Sequence, residues 1–161
     1  MAKQKHPTTQ AVRALRQAKI PFEGFPYTYE EGGGTALFAK LFDVDERQVI
    51  KTLIMEDERK QPLIVLMHGD REVSTKALAR QIGVKSIQPC NPKDADRYCG
   101  YQVGGTSPFG TRKKMPVYCE AGILELEKIY INGGKRGYII SMQSQDMARL
   151  LNPTPVSAAQ D

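Results

Sequence analysis

Gly100-Tyr-Gln-Val-Gly-Gly-Thr-Ser-Pro-Phe-Gly-Thr-Arg112 concentrates glycines, hydroxyl side chains and one proline in a short stretch. Glycine admits left-handed backbone and lets another group approach closely. Exposed backbone N–H groups are expected at Gly104-Gly105, Thr106 and Ser107 add hydroxyl donors, and Pro108 stiffens the far side of the turn. Arg112-Lys113-Lys114 follows directly. The combination suits a loop that holds a polar, anionic ligand. A plain connecting loop with a solvated basic flank is the other reading, and Gly-rich runs alone do not separate the two. A second such element, Asn132-Gly133-Gly134-Lys135-Arg136-Gly137, lies between Ile129-Tyr-Ile131 and Tyr138-Ile-Ile140. Two β-favouring runs split by Asn-Gly-Gly predict a hairpin, with Lys135 and Arg136 at or just beyond its tip. The third candidate is Lys51, inside the strand-like run Val49-Ile-Lys-Thr-Leu-Ile-Met55. A lysine there either snorkels from an edge strand or points into a cleft, where partial burial strengthens its field.

Other chemistry is scarce. Of the two histidines, His6 lies near the N-terminus and His68 ends a strand before Gly69-Asp70, where a solvated surface position is expected. There is no G-x-S-x-G elbow and no His-Glu-x-x-His. Cys90 precedes a proline-initiated helix, Cys99 ends it and Cys119 falls in a strand, so each reads as a small buried hydrophobe. Catalytic power would then come from positioning and from oxyanion-type donors.

The positioning elements follow from local signals. Thr8 or Thr9 caps a helix through about Lys19 with Val12, Leu15 and Ala18 on one face, ended by Pro21. Phe25 to Tyr29 reads as strand, Glu31 to Gly34 as a flexible loop, and Thr35 as the cap of a short helix carrying Leu37, Phe38, Leu41 and Phe42. After the Lys51 strand come a second strand, Leu63 to Met67, and a helix Lys76–Ile82 capped by Ser74 or Thr75 and closed by Gly83. Ser86 to Gln88 is a short strand, and a helix from Pro92 to about Cys99 ends at Gly100. A strand at Val117 to Cys119, a short helix near Ile123–Leu126, the hairpin, and a helix Gln145–Leu151 capped by Ser144 complete the pattern. It predicts one mixed α/β domain, 8–151, built on a curved, barrel-like mixed sheet flanked by short helices. Residues 1–7 read as a flexible basic tail, and 152–161, with two prolines, as a disordered one.

The 161 residues, 40% hydrophobic and 25% charged, fit one ordinary globular domain. No apolar run reaches membrane-spanning length, and no apolar h-region follows the basic N-terminus. Three cysteines without C-x-x-C spacing argue against a disulfide framework and a zinc site, and point to a reducing, cytoplasmic setting. A net charge of +5 and a pI near 9.1 permit contact with a few phosphates. Acidic clusters such as Glu56-Asp57-Glu58 make a long duplex binder a poorer fit.

Taken together, Val49-Ile-Lys-Thr-Leu-Ile54, Gly100 to Gly110 and Ile129 to Gly137 resemble, in order and spacing, the motifs of the YbaK/EbsC family. These are aminoacyl-tRNA deacylases related to the editing domain of bacterial prolyl-tRNA synthetases. The resemblance covers about Thr8 to Leu151. It implies a trans-acting editing enzyme that hydrolyses the ester of mischarged tRNA, in the first place Cys-tRNA(Pro), with no cofactor or metal. In the cysteine-clearing branch the substrate's own thiol is the attacking group, which suits a chain without a triad. Lys51 matches the family's key lysine, next to Thr52. Gly104, Gly105, Thr106, Ser107 and Pro108 would line the aminoacyl pocket. Asn132, Gly133, Gly134, Lys135 and Arg136 would flank it, and Tyr29 matches a tyrosine of that branch. The implied partners are the 3′ aminoacyl-adenosine end of a tRNA and, with so little surface for reading tRNA identity, a prolyl-tRNA synthetase.

The chain also departs from that branch. The loop after Tyr29 is shorter and lacks its aromatic residue, Asn132 replaces a serine, and Ile139 stands where an acidic residue is common. Clearance of alanine, serine or threonine with water as attacking group therefore stays open. So does a non-catalytic module that binds a tRNA end or another nucleotide.

Overall fold

The computed structural model describes residues 7–161, so the expected tail at 1–7 lies outside the described residues except for Pro7. Helix α1 (Gln10–Gln17) is capped by Thr9, whose hydroxyl accepts from the Val12 N–H at 3.0 Å. Ala11, Val12 and Leu15 are its buried face, while Ala18 is exposed as the C-cap. Strand β1 (Glu23–Pro26) is earlier than the predicted run, which places Tyr27 and Tyr29 in the connection that follows. Helix α2 (Gly34–Phe42) has no side-chain cap. Thr35 is not its cap: its hydroxyl reaches Glu46 Oε2 at 2.7 Å and the Gly69 carbonyl at 3.2 Å. Phe38 and Phe42 of this helix stack and meet Phe25, Tyr27 and Tyr130 mainly edge to face, whereas Leu41 turns to solvent.

One sheet organises the chain. Strands β2 (Val49–Asp57), β3 (Pro62–His68), β5 (Ile87–Pro89), β6 (Val117–Glu120), β7 (Lys128–Lys135), β8 (Tyr138–Gln143) and β9 (Thr154–Val156) join β1 in the order β1-β8-β7-β2-β3-β6-β9, with β5 also on β2. The β2·β7, β3·β6 and β6·β9 pairs are parallel and the others antiparallel. This is the mixed α/β domain that the sequence predicts. Strand β3 is buried along its whole length: Ile64 and Leu66 join one core, Leu63, Val65 and Met67 the other. A two-residue alternation that is apolar on both faces needs cover on both sides. The first core is covered by α1, α5 (Ala121–Leu124) and α6 (Ser144–Leu151), the second by α3 (Thr75–Ile82). Helices α3 and α4 (Pro92–Cys99) begin at Ser74 and Asn91, whose side chains accept from Ala77 and Asp94 N–H, and end at Gly83 and Gly100 with φ of 79° and 81°.

Four further expectations are corrected. Residues 152–161 are ordered: β9 pairs in parallel with β6, and β10 (Ala159–Gln160) pairs with β4 (Glu72–Val73). Pro155 is compatible with β9 because it is an edge strand, and Pro153 precedes the strand. Val156 and Ala158 supply its buried contacts. Asn132-Gly-Gly is not the hairpin turn but a bulge, with the ladder resuming at Lys135↔Tyr138 so that the tip is Arg136-Gly137. Ser144 starts α6 rather than capping it, and its hydroxyl donates to the Leu126 carbonyl. His68 is buried, with Nδ1 2.8 Å from the Arg47 carbonyl. No helix among the described residues is long and apolar enough to cross a membrane.

Candidate functional site

The sheet leaves a gap beside Lys51. Strand β2 pairs with β7 only at Val49 and Ile50, and with β5 only from Met55 to Asp57. Between these registers the edge of β2 opens into a cavity of about 710 Å³. Its walls are β2 from Ile50 to Ile54, the Tyr27–Leu37 connection, the start of α4 at Pro92 and Ala95, and the 103–106 loop. Lys51 is therefore on an interior strand with an interrupted edge, which decides its sequence ambiguity for the cleft.

The ammonium of Lys51 is fixed by Arg71 and Glu72, at the entry to β4. It donates to the Arg71 carbonyl at 2.7 Å and to Glu72 Oε1 at 3.2 Å, and its side chain is 22% exposed. An ammonium has three N–H donors, so one is left for a ligand. The chain's last strand braces this support: Gln160 pairs with Glu72, Ser74 N–H donates to the Ala158 carbonyl at 2.7 Å, and Arg71 is paired with Asp161. The neighbouring Thr52 hydroxyl is buried and is the one such side-chain atom among the described residues with no hydrogen-bond partner. A buried hydroxyl left unpaired costs about 1–3 kcal/mol, and this one belongs to a residue of the cavity lining.

The opposite wall is built by close backbone approach. Gly104 has φ +89°, and a Cβ there would lie 2.6 Å from the Tyr29 hydroxyl oxygen. At Gly105 a Cβ would lie 2.7 Å from the Arg136 backbone nitrogen. Asn132 locks loop to bulge: its Nδ2 donates to the Gly104 carbonyl at 3.2 Å, and its Oδ1 accepts from Gly134 and Lys135 N–H at 2.7 and 3.2 Å. Arg136 donates to the Val103 carbonyl at 2.7 Å and lies 5.0 Å over the Tyr29 ring. From below, the Thr9 hydroxyl donates to the Gly133 carbonyl at 2.6 Å.

Of the residues singled out in the sequence, Tyr29, Lys51, Thr52, Gly104, Thr106 and Asn132 line the cavity together. Gly105, Ser107, Pro108, Gly133, Gly134, Lys135 and Arg136 are not in the lining, although Gly105 and Arg136 meet behind Gly104. The loop is less of an anion nest than its composition suggests, since Gly105 N–H is spent on the Gln102 carbonyl at 2.8 Å and buried Ser107 Oγ accepts from Phe109 N–H at 3.1 Å. Sequence reasoning missed Glu30, Glu46 and Glu72, which make the lining one lysine against three carboxylates. It also read Cys90 as a small buried hydrophobe, whereas the residue is only half-buried. The thiol is on the cavity wall, and burial, with Glu56 and Asp94 nearby, pushes it up to about 11, so it is protonated at neutral pH. Among the described residues no group of three or more His, Cys, Asp or Glu is placed to hold a metal ion.

Known proteins are similar to this chain in sequence and in fold. A protein of Enterococcus faecalis whose name provisionally assigns it as the Cys-tRNA(Pro)/Cys-tRNA(Cys) deacylase EbsC is 29% identical over 154 residues, 94% of each chain. The proline–tRNA ligase of Brachyspira hyodysenteriae is 25% identical over 96 residues, 60% of this chain but 17% of that enzyme. A crystal structure described provisionally as a trans-editing enzyme for prolyl tRNA synthetase superposes with a TM-score of 0.82 at 16% identity, covering 97% of this chain and all of that one. The model of the aminoacyl-tRNA editing domain matches residues 30–150, and the chain belongs to that family.

Proposed function

We propose that the chain is a trans-acting deacylase that hydrolyses the ester of a mischarged tRNA, with Cys-tRNA(Pro) as the first-choice substrate. The observation that carries this reading is a cavity with a fixed ammonium, an unpaired buried hydroxyl and no activated nucleophile of its own. Lys51 supports the ribose or phosphate of the terminal adenosine, or charge developing on the ester. The Thr52 hydroxyl and the Gly104 N–H, which no group among the described residues accepts, supply polar contacts to the aminoacyl group. Glu30, Glu46 and Glu72 suit its α-ammonium. With a cysteinyl ester the nucleophile arrives with the substrate. Its sulfur attacks the ester carbonyl as the thiol proton is lost, the ribose oxygen leaves and takes up a proton, and water then opens the resulting thioester to free cysteine. Positioning, rather than a protein nucleophile, then supplies the acceleration.

The test is a deacylation panel on proline tRNA charged with cysteine, alanine, serine or proline, with and without prolyl-tRNA synthetase. Loss of the cysteinyl ester alone is expected. Loss of the alanyl or seryl ester would assign water as the attacking group. Retention of every ester would remove the enzymatic reading and leave a tRNA-binding module.

A further inference from the structure

The basic run Arg112-Lys113-Lys114 takes no part in the cavity, yet it is strapped to one of its walls. Arg112 N–H donates to the Cys99 carbonyl at 3.1 Å and Lys113 N–H to the Tyr98 carbonyl at 2.8 Å, which fixes the run at the end of α4. The same helix lines the cavity at Pro92 and Ala95. Ala95 and Tyr98 are three residues apart, about 4.5 Å along the axis. The charges are gathered around one ring: Lys113 Nζ lies 5.2 Å and Arg97 Cζ 5.0 Å from the Tyr98 centroid. Arg97 is paired with Asp94, but none of the four ion pairs among the described residues uses Arg112, Lys113 or Lys114. All three are exposed.

The cavity itself cannot hold a polyanion. Its single ammonium is already shared with Glu72 and faces two further carboxylates. A charged strand whose end enters this cavity must be neutralised outside it, and Arg112, Lys113 and Lys114 beside α4 are in none of the ion pairs among the described residues. Resting on the function proposed above, we infer that Arg112, Lys113 and Lys114 bind successive phosphates of the single-stranded 3′ end of the tRNA, just upstream of the adenosine that enters the cavity.

The experiment compares the wild type with an Arg112→Ala/Lys113→Ala/Lys114→Ala variant. It uses binding of uncharged tRNA across a salt series, and hydrolysis of both charged tRNA and a phosphate-free aminoacyl-adenosine ester. Each lost phosphate contact on a single strand removes about 0.7 from the slope of log K against log salt, so the slope should fall by about 2. KM for charged tRNA should rise at least roughly tenfold at low salt, with kcat and turnover of the phosphate-free ester kept. Lys114→Ala alone, which removes no contact within the fold, should show about a third of the slope change. A Lys76→Ala/Arg80→Ala/Lys85→Ala variant, on the separate basic groove of α3 and β5, should leave the slope as it is. An unchanged slope in the first variant overturns the inference, as does an equal loss on both esters. If the wild type cuts no ester, the proposed function fails, and the salt series still decides whether this run binds the strand.

Discussion

The two walls of the cavity are held by opposite means. On the β2 side, one atom carries the role: Lys51 Nζ, set by the Arg71 carbonyl and by the Glu72 carboxylate of β4, which is itself held by β10. On the glycine side, no single atom carries the role. The surface exists because Gly104 sits against Tyr29 and Gly105 against the Arg136 backbone. The first wall is defined by charge on a flexible side chain and has slack around it. The second is defined by shape and has none. Substitutions on the first should therefore cost rate without stability, and on the second both together.

The largest effect expected on rate is that of Lys51→Ala. A preorganised donor to developing charge is worth roughly 10²–10³ in rate. The variant should lose at least that much turnover of its best mischarged tRNA, while a partly exposed lysine leaves its thermal midpoint almost unmoved. Wild-type turnover by this variant would move the role to the glycine wall. Next, Gly105→Ala should lower both stability and activity. Its new methyl meets backbone, which cannot rotate away, and overpacking of this kind costs about 1–3 kcal/mol. A thermal midpoint unchanged by this variant would show that loop and hairpin are looser than the distances imply. Glu72→Gln probes the slack of the first wall. Glu72 is 69% exposed, and exposed pairs contribute about 0–1 kcal/mol, so steady-state rates should fall no more than roughly fivefold.

The same contrast explains what could be read in the sequence. Helices α3 and α4 were legible almost to the residue because their signals are local: Ser74, Pro92, Gly83 and Gly100 act within one turn. Lys51 was legible as a candidate because a charge in an apolar strand needs a reason. Glu72 was not, since its role comes from a strand pairing across the fold and nothing in Asp-Arg-Glu-Val announces it. Buried His68 was hidden for a similar reason, as its partner is the Arg47 carbonyl, a backbone group with no signature. In Asn132-Gly-Gly the glycine signal was right and its geometry wrong. The tight contact that favours glycine is with the Tyr138 ring at Gly133 and with Tyr101 and Thr9 at Gly134, and these contacts select a bulge over a turn. Strands β9 and β10 lack any periodic pattern, and only their partners order them.

The smallest effect on rate is expected at Cys90, which tests whether either wall hides a nucleophile. A thiol held near 11 is almost wholly protonated at pH 7, so Cys90→Ala should keep turnover within about twofold. Loss of activity in that variant, with a wild-type rate that climbs toward pH 11, would assign the attack to the protein rather than to the substrate. The thiols should instead be visible in stability. Burial holds the Cys90 thiol at about 11 and that of Cys119 at about 12, against 9.0 for a free thiol, and raises that of Cys99 as well. Well below pH 9 the folded and unfolded chains hold these protons equally. As pH approaches and passes 9 the unfolded chain releases them first, so each step upward in pH favours unfolding until the folded thiols ionise too. Unfolding midpoints measured from pH 8 to 12 should therefore fall most steeply between 9 and 12, and Cys119→Ala should flatten that fall, because its thiol has the higher of the two values and is the more deeply buried.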